Sequence, residues 1–216
     1  CTVHMNAVIL CAGFATRMYP LTKNFPKPLL EVGGKAMIEY HLAALQQAGV
    51  QEVIINHAWL GEQIESYLGD GDQYGLHIAY SPEIPEALET AGGIIQALPK
   101  LGIEPFIVIN GDIWCDYDFS RLPELEPGKQ AHLILVDNPD HNPAGDFALE
   151  NGLIRNTGNT MYTFSGIGIY TPAFFADQPE GALPLAPIIR SKSDNGMVSG
   201  EHHPGRWTDV GTIERL

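Results

Sequence analysis

The apolar positions of this chain follow two different periods, and the pattern changes about half way along its 216 residues. In the first half, short apolar runs of strand length alternate with longer segments whose apolar residues recur every three or four positions, as on one helix face. The predicted strands are 7–10, 53–55, 77–80 and 106–109, and the predicted helices are 37–47, 60–68 and 90–98. Strands that alternate with helices predict an α/β fold with a mainly parallel sheet flanked by helices.

After about residue 118 the predicted strands follow one another without long helices between them. These strands are 131–136, 147–149, 153–155, 162–170, 197–202 and 207–210, with short helices at 172–176 and 185–191 and a further helix from 212. The pattern predicts a mixed extension of the sheet. No internal repeat and no linker rich in proline, glycine or serine interrupts the chain, so we expect one domain over residues 1–216.

The charge of the chain restricts its partners. Twelve lysines and arginines stand against 26 aspartates and glutamates, and the resulting net charge of −14 argues against binding to nucleic acid or an anionic membrane. No apolar run reaches the roughly 18 residues that a membrane helix needs. The chain also shows no signal-peptide pattern. We therefore expect small-molecule partners, no membrane association, and a monomer or small homo-oligomer.

The cysteines indicate the cellular compartment. Residues 1–4, which precede Met5, look like the remnant of an expression tag, which leaves Cys11 and Cys115. Both lie beside apolar runs, and they lack the C-x-x-C spacing of a zinc site or redox motif. This usage is typical of a reducing environment. The prediction is a cytoplasmic protein without structural zinc.

The most informative segment follows the first predicted strand. A turn of small residues that includes Gly13 carries Arg17, and Lys27 follows between Pro26 and Pro28. Small residues let backbone N–H groups approach an anion, and a turn of this kind after a strand is a common phosphate cradle. The two prolines restrict the backbone that presents Lys27. These residues predict a polyphosphate site.

Two aspartates follow predicted strands late in the chain. Asp112 comes after the apolar run 107–109, and Asp209 lies between the last predicted strand and Gly211. Ligands of a parallel sheet gather beyond the carboxyl ends of its strands, and carboxylates are ligands that Mg²⁺ prefers. Asp112 and Asp209 are therefore candidate Mg²⁺ ligands. For Asp112, the alternative is a helix N-cap or turn aspartate.

The first segment resembles the signature G-x-G-T-R-x-x-P-x-T…P-K-P of the sugar-1-phosphate nucleotidyltransferases, with Ala15 in place of the second glycine. The matching positions are Gly13, Thr16, Arg17, Pro20, Thr22, Pro26, Lys27 and Pro28. Residues 207–212 resemble the late W-x-D-x-G-T motif of this family, and residues 80–93 resemble its base-binding strand and turn. The Glu-Lys-Pro motif of larger members is absent, so the resemblance does not carry over their choice of sugar.

The resemblance implies a Rossmann-like fold and a Mg²⁺-dependent enzyme. Such an enzyme joins a nucleoside triphosphate to a sugar 1-phosphate and releases pyrophosphate. It further implies Arg17 and Lys27 as catalytic residues and Asp112 and Asp209 as metal ligands. The implied nucleotide contacts are Cys11, Ala12, Gly13, Phe14, Ala15, Thr16, Arg17, Glu83, Thr90, Ala91 and Gly92. The implied sugar contacts are Asn110, Gly111, Asp146, Asn151, Ser165 and Gly166.

Residues 5–117 are expected to bind the nucleotide and residues 118–216 the sugar. The Glu83 carboxylate could accept N3–H of uracil or N1–H of guanine, so it does not settle the base. Resemblance to short members that act in cell-wall peptidoglycan recycling favours UTP with N-acetylmuramate 1-phosphate. The alternatives are mannose 1-phosphate with GTP and glucose 1-phosphate with dTTP or UTP.

The main alternative from another class is a non-catalytic regulator that binds sugar nucleotides. Such a protein would be expected to lack a cation or a metal carboxylate, whereas Arg17, Lys27, Asp112 and Asp209 are all present. A dehydrogenase is excluded because G-x-G-x-x-G does not follow the first strand, and a P-loop motif is also absent. An enzyme is therefore favoured.

Overall fold

The computed structural model describes residues 5–13, 19–83 and 88–210. The helices are α1 (Met37–Gln47), α2 (Gly61–Leu68), α3 (Glu89–Leu101) and α4 (Ala186–Asp194). The strands of the main sheet are β1 (Asn6–Leu10), β4 (Glu52–His57), β5 (His77–Pro82), β6 (Phe106–Asn110), β8 (Ala131–Val136), β9 (Phe147–Glu150), β10 (Leu153–Arg155), β11 (Met161–Tyr170) and β12 (Val198–His202). Two further sheets have two antiparallel strands each. One pairs β2 (Glu31–Val32) with β3 (Lys35–Ala36), and the other pairs β7 (Ile113–Cys115) with β13 (Trp207–Asp209). Among the described residues, no helix is long and apolar enough to cross a membrane.

The main sheet has nine strands in the order β5-β4-β1-β6-β11-β8-β12-β10-β9. The first four strands in this order are parallel, and β8 and β12 form a further parallel pair. The antiparallel pairs involve β9, β10 and β11. The α/β fold with a mixed sheet is confirmed, and its parallel character is concentrated in the half of the chain where strands and helices alternate.

The central strands are apolar on both faces because helices cover both sides of the sheet. In β1, Ile9 packs with Ile38 of α1, whereas its neighbour Val8 packs with Ile94 of α3 on the opposite side. A buried parallel strand therefore appears in sequence as a continuous apolar run. The same arrangement explains why the run 53–55 predicted a strand without alternation.

The predicted elements agree closely with those observed, apart from their ends. The segment predicted as a helix at 172–176 is a short 3₁₀ helix, Pro172–Phe175. The strands β2, β3 and β7 were not predicted, because two or three residues give no usable period. The helix predicted from 212 lies outside the described residues.

The strand order places a crevice at the carboxyl end of β1. Strand β1 pairs with β4 along one of its edges and with β6, which comes later in the chain, along its other edge. Ligands of open α/β sheets bind at such a switch point, beyond the strand ends. Cys11 follows β1, and Gly111 and Asp112 follow β6, so the fold brings both predicted segments to this edge.

Candidate active site

The start of the predicted phosphate loop is anchored by Asn56, which ends the apolar run of β4. The Cys11 N–H donates to the side-chain oxygen of Asn56 over 2.7 Å, and the Asn56 amide group donates to Glu83 Oε1 over 3.2 Å. The second Glu83 oxygen accepts from the Leu88 N–H over 3.2 Å. These bonds connect the ends of β1, β4 and β5 with the approach to α3. Asn56 was not predicted, although a polar residue at the end of a buried strand was a usable signal.

Glu83, for which a base-reading role is predicted, is bonded within the protein. Its side chain is buried, with 4% of the residue exposed, and both carboxylate oxygens accept hydrogen bonds from the protein. Burial raises the pKa of this carboxyl group, while the bonds from the Leu88 N–H and from Asn56 act in the opposite direction. In this structure Glu83 is therefore an internal anchor, because both carboxylate oxygens already have partners in the protein, and its contact with a base stays a prediction.

Lys27 and Asp112 meet at the crevice. Lys27 begins the 3₁₀ helix Lys27–Leu29, directly after Pro26, whose dihedral angles are extended. Its Nζ lies 3.4 Å from Asp112 Oδ2, and the Lys27 side chain is only 14% exposed. Among the described residues, no backbone N–H donates to the Asp112 carboxylate. The capping alternative for Asp112 is therefore not supported.

Asp209 reaches the same region through a short strand pair. β13 runs antiparallel to β7, with Asp209 opposite Ile113, and the Val210 N–H donates to the Asp112 carbonyl oxygen over 2.7 Å. The Asp209 Oδ2 atom lies 3.1 Å from Nε2 of His141. Two carboxylates at one edge are a set of hard oxygen donors, which fits Mg²⁺. His141 was not predicted, because nothing in its local sequence marks it.

Three cavities meet at Asn110, the last residue of β6. The loop cavity, about 290 Å³, is lined by residues that include Cys11, Gly13, Lys27, Thr90 and Asp112. The aromatic cavity, about 340 Å³, is lined by residues that include Thr90, Phe147, Phe164, Tyr170 and Arg190. The carboxylate cavity, about 390 Å³, is lined by residues that include Asp112, His141, Ser165, Trp207 and Asp209. Because Asn110 lines all three, the cavities form one branched site.

Several predicted nucleotide contacts line the loop cavity, but others do not. Cys11, Ala12, Gly13 and Thr90 are among its lining residues. The N–H groups of Ala91 and Gly92 instead donate to the Leu183 carbonyl oxygen, over 3.0 and 3.1 Å. These two amides are therefore bonded within the protein, and the contacts of Ala91 and Gly92 with a nucleotide stay a prediction. The remaining predicted contacts, Phe14, Ala15, Thr16 and Arg17, lie outside the described residues.

The predicted sugar contacts divide in a similar way. Asn110, Asp146 and Gly166 line the aromatic cavity, and Gly111 lines the loop cavity. Ser165 is fully buried at the carboxylate cavity, and its hydroxyl oxygen accepts from the Ile167 N–H over 3.0 Å. Asn151 lies apart from these cavities, and its contact with a sugar stays a prediction. It is an exposed residue with φ 51° in the turn between β9 and β10, and it lines none of the three cavities.

Residues 6–149 match the family model described as nucleotidyl transferase, and the chain belongs to this family, as one of its sugar-1-phosphate nucleotidyltransferases. The chain is 53% identical to the N-acetylmuramate alpha-1-phosphate uridylyltransferase of Neisseria meningitidis serogroup B, over 98% of this chain and 95% of the relative. The enzyme of the same name from Caulobacter vibrioides is 33% identical, over 95% and 91%. A mannose-1-phosphate guanyltransferase from Neurospora crassa is also 33% identical, but the match covers only 61% of its length.

Solved structures support the fold. HddC from Yersinia pseudotuberculosis, complexed with GMP-PN, matches with a TM-score of 0.81 over 98% of this chain and 96% of that chain, at 22% identity. The inositol-1-phosphate CTP transferase from T. maritima matches with a TM-score of 0.76 at 17% identity. At these identities the likeness establishes the Rossmann-like architecture alone.

Proposed function

We propose that this protein transfers a uridylyl group from UTP to N-acetylmuramate 1-phosphate, forming UDP-N-acetylmuramate and pyrophosphate. The observation that carries the proposal is the contact of Lys27 with Asp112 in the wall of the loop cavity, together with Asp112 and Asp209 in the wall of the carboxylate cavity. The choice of UTP and of this sugar rests on the 53% identity to the Neisseria relative over nearly the full length of both chains. The product belongs to peptidoglycan recycling in the cytoplasm, and the free thiols of Cys11 and Cys115 agree with a reducing compartment.

In this proposal the two substrates bind in different cavities. The nucleotide occupies the loop cavity, which residues 5–117 form, and the sugar occupies the aromatic cavity, to which residues 118–216 contribute most of the wall. The sugar phosphate then lies near Asn110, where an oxygen of this phosphate attacks the α-phosphorus in line as pyrophosphate leaves. Positioning and charge stabilisation supply most of the rate in this type of reaction.

The chain contributes fixed charges to this step. Lys27 neutralises the α-phosphate oxygens as charge develops, and its low exposure reduces the cost of ordering it. Arg17, with the amides of the turn around Gly13, holds the β- and γ-phosphates. Asp112 and Asp209 hold Mg²⁺, which supplies charge neutralisation for the phosphate oxygens when bound. His141 fixes the orientation of the Asp209 carboxylate.

The test is pyrophosphate release in the presence of Mg²⁺, with UTP, dTTP and GTP each paired with N-acetylmuramate, glucose and mannose 1-phosphates. We expect release with UTP and N-acetylmuramate 1-phosphate, and at least tenfold less with the other pairs. Preference for another pair would retain the class of reaction and overturn the assigned substrates. Binding of nucleotide without release for any pair would favour the non-catalytic regulator.

Two variants test the carboxylates. Asp112→Asn and Asp209→Asn are each expected to fold and to lose Mg²⁺-dependent turnover by at least 10²-fold, because each removes a charged ligand. Asp118→Asn is the matched control, since Asp118 caps the 3₁₀ helix Phe119–Arg121 through the Ser120 N–H, away from the three cavities. Unchanged turnover in Asp112→Asn or Asp209→Asn would remove that residue from the proposed metal site.

A further inference from the structure

The aromatic cavity contains an arginine that the transfer reaction does not use. Its walls are largely apolar and include Val108, Phe147, Phe164, Leu185 and Ile189. Among the described residues that line it, Arg190 of α4 is the only cation. A neutral hexose phosphate needs a cation for its phosphate alone, and that phosphate is assigned to a position near Asn110, at the border of the loop cavity that Lys27 lines. Arg190 does not line the loop cavity, so it faces a different part of the ligand.

Arg190 is held in place by neutral partners. Its Nη1 donates to the Asp146 carbonyl oxygen over 3.3 Å and to the Asn156 side-chain oxygen over 3.4 Å. The guanidinium carbon lies 4.7 Å from the centre of the Phe147 ring. No carboxylate of the described chain lies within 4.0 Å of the guanidinium, and its Nε and Nη2 N–H groups have no partner there. Arg190 is an exposed residue, so its Nε and Nη2 N–H groups face solvent, and the guanidinium fork that they form matches the geometry of a carboxylate.

The acidic residues of the cavity do not neutralise this arginine. The Asp146 oxygens accept from the Phe164 N–H over 2.8 Å and from the Asn142 amide over 3.2 Å, so this carboxylate is committed to the protein. Glu89 lines the cavity from the start of α3 and is exposed to solvent. The charge of Arg190 is thus available to a ligand.

A second, independent feature indicates a polar ligand in the same cavity. Tyr170 is fully buried and lines the aromatic cavity, and its hydroxyl group has no hydrogen-bond partner among the described residues. Burial raises the pKa of this hydroxyl, so it remains a donor. A buried donor without a partner destabilises the folded protein. A polar oxygen of a bound sugar would remove this cost.

We propose that Arg190 recognises a carboxylate carried by the sugar itself, and so selects an acidic amino sugar over its neutral counterpart. The inference rests on the proposed function, because N-acetylmuramate is N-acetylglucosamine with a lactyl ether, and the lactyl group supplies this carboxylate. The apolar walls accept the methyl groups of the lactyl and acetamido substituents.

The test compares Arg190→Gln with the wild type on two substrates, N-acetylmuramate 1-phosphate and N-acetylglucosamine 1-phosphate, each with UTP. We expect kcat/KM for the muramate substrate to fall by about 10- to 100-fold, because a charge-assisted pair is lost. For the neutral substrate we expect a change of less than about threefold. Arg190→Lys should recover part of the loss, because it keeps the charge without the fork.

Arg121→Gln is the matched control, since Arg121 is exposed and lines none of the three cavities. It is expected to leave both values unchanged. The ratio of kcat/KM for the two substrates is independent of the folded fraction, so it remains valid even if Arg190→Gln folds less well. Dissociation constants for the two sugar phosphates give the same comparison where turnover is slow.

Equal losses on both substrates would overturn the inference and assign Arg190 to the phosphate or to the packing of α4. Unchanged kcat/KM with the muramate substrate would also overturn it. Failure of the proposed function has a different signature, because the wild type itself would then not use UTP with N-acetylmuramate 1-phosphate.

Discussion

At the scale of single residues, the site depends on charges that are fixed before any ligand binds. Lys27 follows an extended proline and points its ammonium group at Asp112. Arg190 and the Asp209 carboxylate are likewise held by defined partners. In a chain with a net charge of −14, few cations are available to attract phosphate. Removing one of them should therefore affect turnover more than folding.

Lys27→Ala is expected to reduce kcat by about 10²–10³, equivalent to roughly 3–4 kcal/mol of transition-state stabilisation. Lys27 is assigned to the α-phosphate, where charge develops. Pyrophosphate release under saturating substrates measures the effect. Lys23→Ala is the control, because Lys23 is an exposed lysine of the same loop that does not line the loop cavity. A kcat near the wild-type value in Lys27→Ala would show that this assignment is wrong.

Glu83→Gln is expected to lower the free energy of unfolding by about 1–3 kcal/mol. A glutamine amide can still accept from Asn56, but its NH₂ group then faces the Leu88 N–H, which places two donors together. Urea unfolding measures the loss. The ratio of kcat/KM for UTP and GTP should stay unchanged, because Glu83 is an internal anchor. A shift in base preference would instead support the base-reading role.

At the scale of elements, the first turn of α3 shows how closely the backbone approaches the anchor. A Cβ on Gly93 would overlap with Glu83 Oε1 and with the Asn56 amide group. A Cβ on Gly92 would overlap with the Gly181 carbonyl oxygen. The glycines are thus required by helix packing, whereas the sequence pattern had indicated direct contacts with the nucleotide.

Gly93→Ala is expected to destabilise the protein by about 1–3 kcal/mol. Alanine normally stabilises a helix interior by about 1 kcal/mol relative to glycine, so the loss would come from the displaced Asn56–Glu83 pair. Thermal or urea unfolding measures the sign. Gln96→Ala, at an exposed position of the same helix, serves as the comparison for the effect of alanine on α3, and its effect includes loss of the 3.4 Å bond that Ser81 donates to Gln96 Oε1. A stabilised Gly93→Ala variant would contradict the close contact.

At the scale of the whole molecule, one main sheet has an apolar core on each of its two faces. Helices α1 and α2 cover one face, and α3 and α4 cover the other. His41 of α1 is 5% exposed, and its Nε2 has no hydrogen-bond partner among the described residues. Burial lowers the pKa of His41 to about 4, with smaller opposing contributions from the backbone of Ile113 and the charge of Asp112.

This shift gives a pH dependence of stability with a defined sign. Above pH 6.5 the His41 ring is neutral in the folded and in the unfolded protein, so its protonation does not change the free energy of unfolding. As the pH falls from 6.5 to about 4, the unfolded chain binds a proton that folded His41 does not, and stability decreases by about 3 kcal/mol. In His41→Met this component should disappear. Urea unfolding at pH 7 and pH 4.5 compares the slopes, and identical slopes would contradict the buried neutral imidazole.

The sequence by itself determined the elements and the chemistry of the main motifs. The apolar periods of the sequence specify strands such as β1 and β6 and helices such as α1, and the predicted bounds of these elements agree with the observed bounds to within a few residues. Asp209 reaches the site through the antiparallel pair of β13 and β7, whereas the position of Asp112 after the predicted strand 106–109 was enough to place it at the edge of the main sheet. Local information suffices here because the carboxyl ends of parallel strands meet at the same edge.

Only the tertiary structure decided which polar groups are free and which are committed. Glu83, Ala91 and Gly92 are bonded within the protein, and Asn151 lies away from the cavities. Arg190 enters the aromatic cavity only because α4 packs against β10 and β12. Such partners are distant in sequence, and a hydrogen bond or a cavity wall depends on the packing of several elements at once. No local period carries that information.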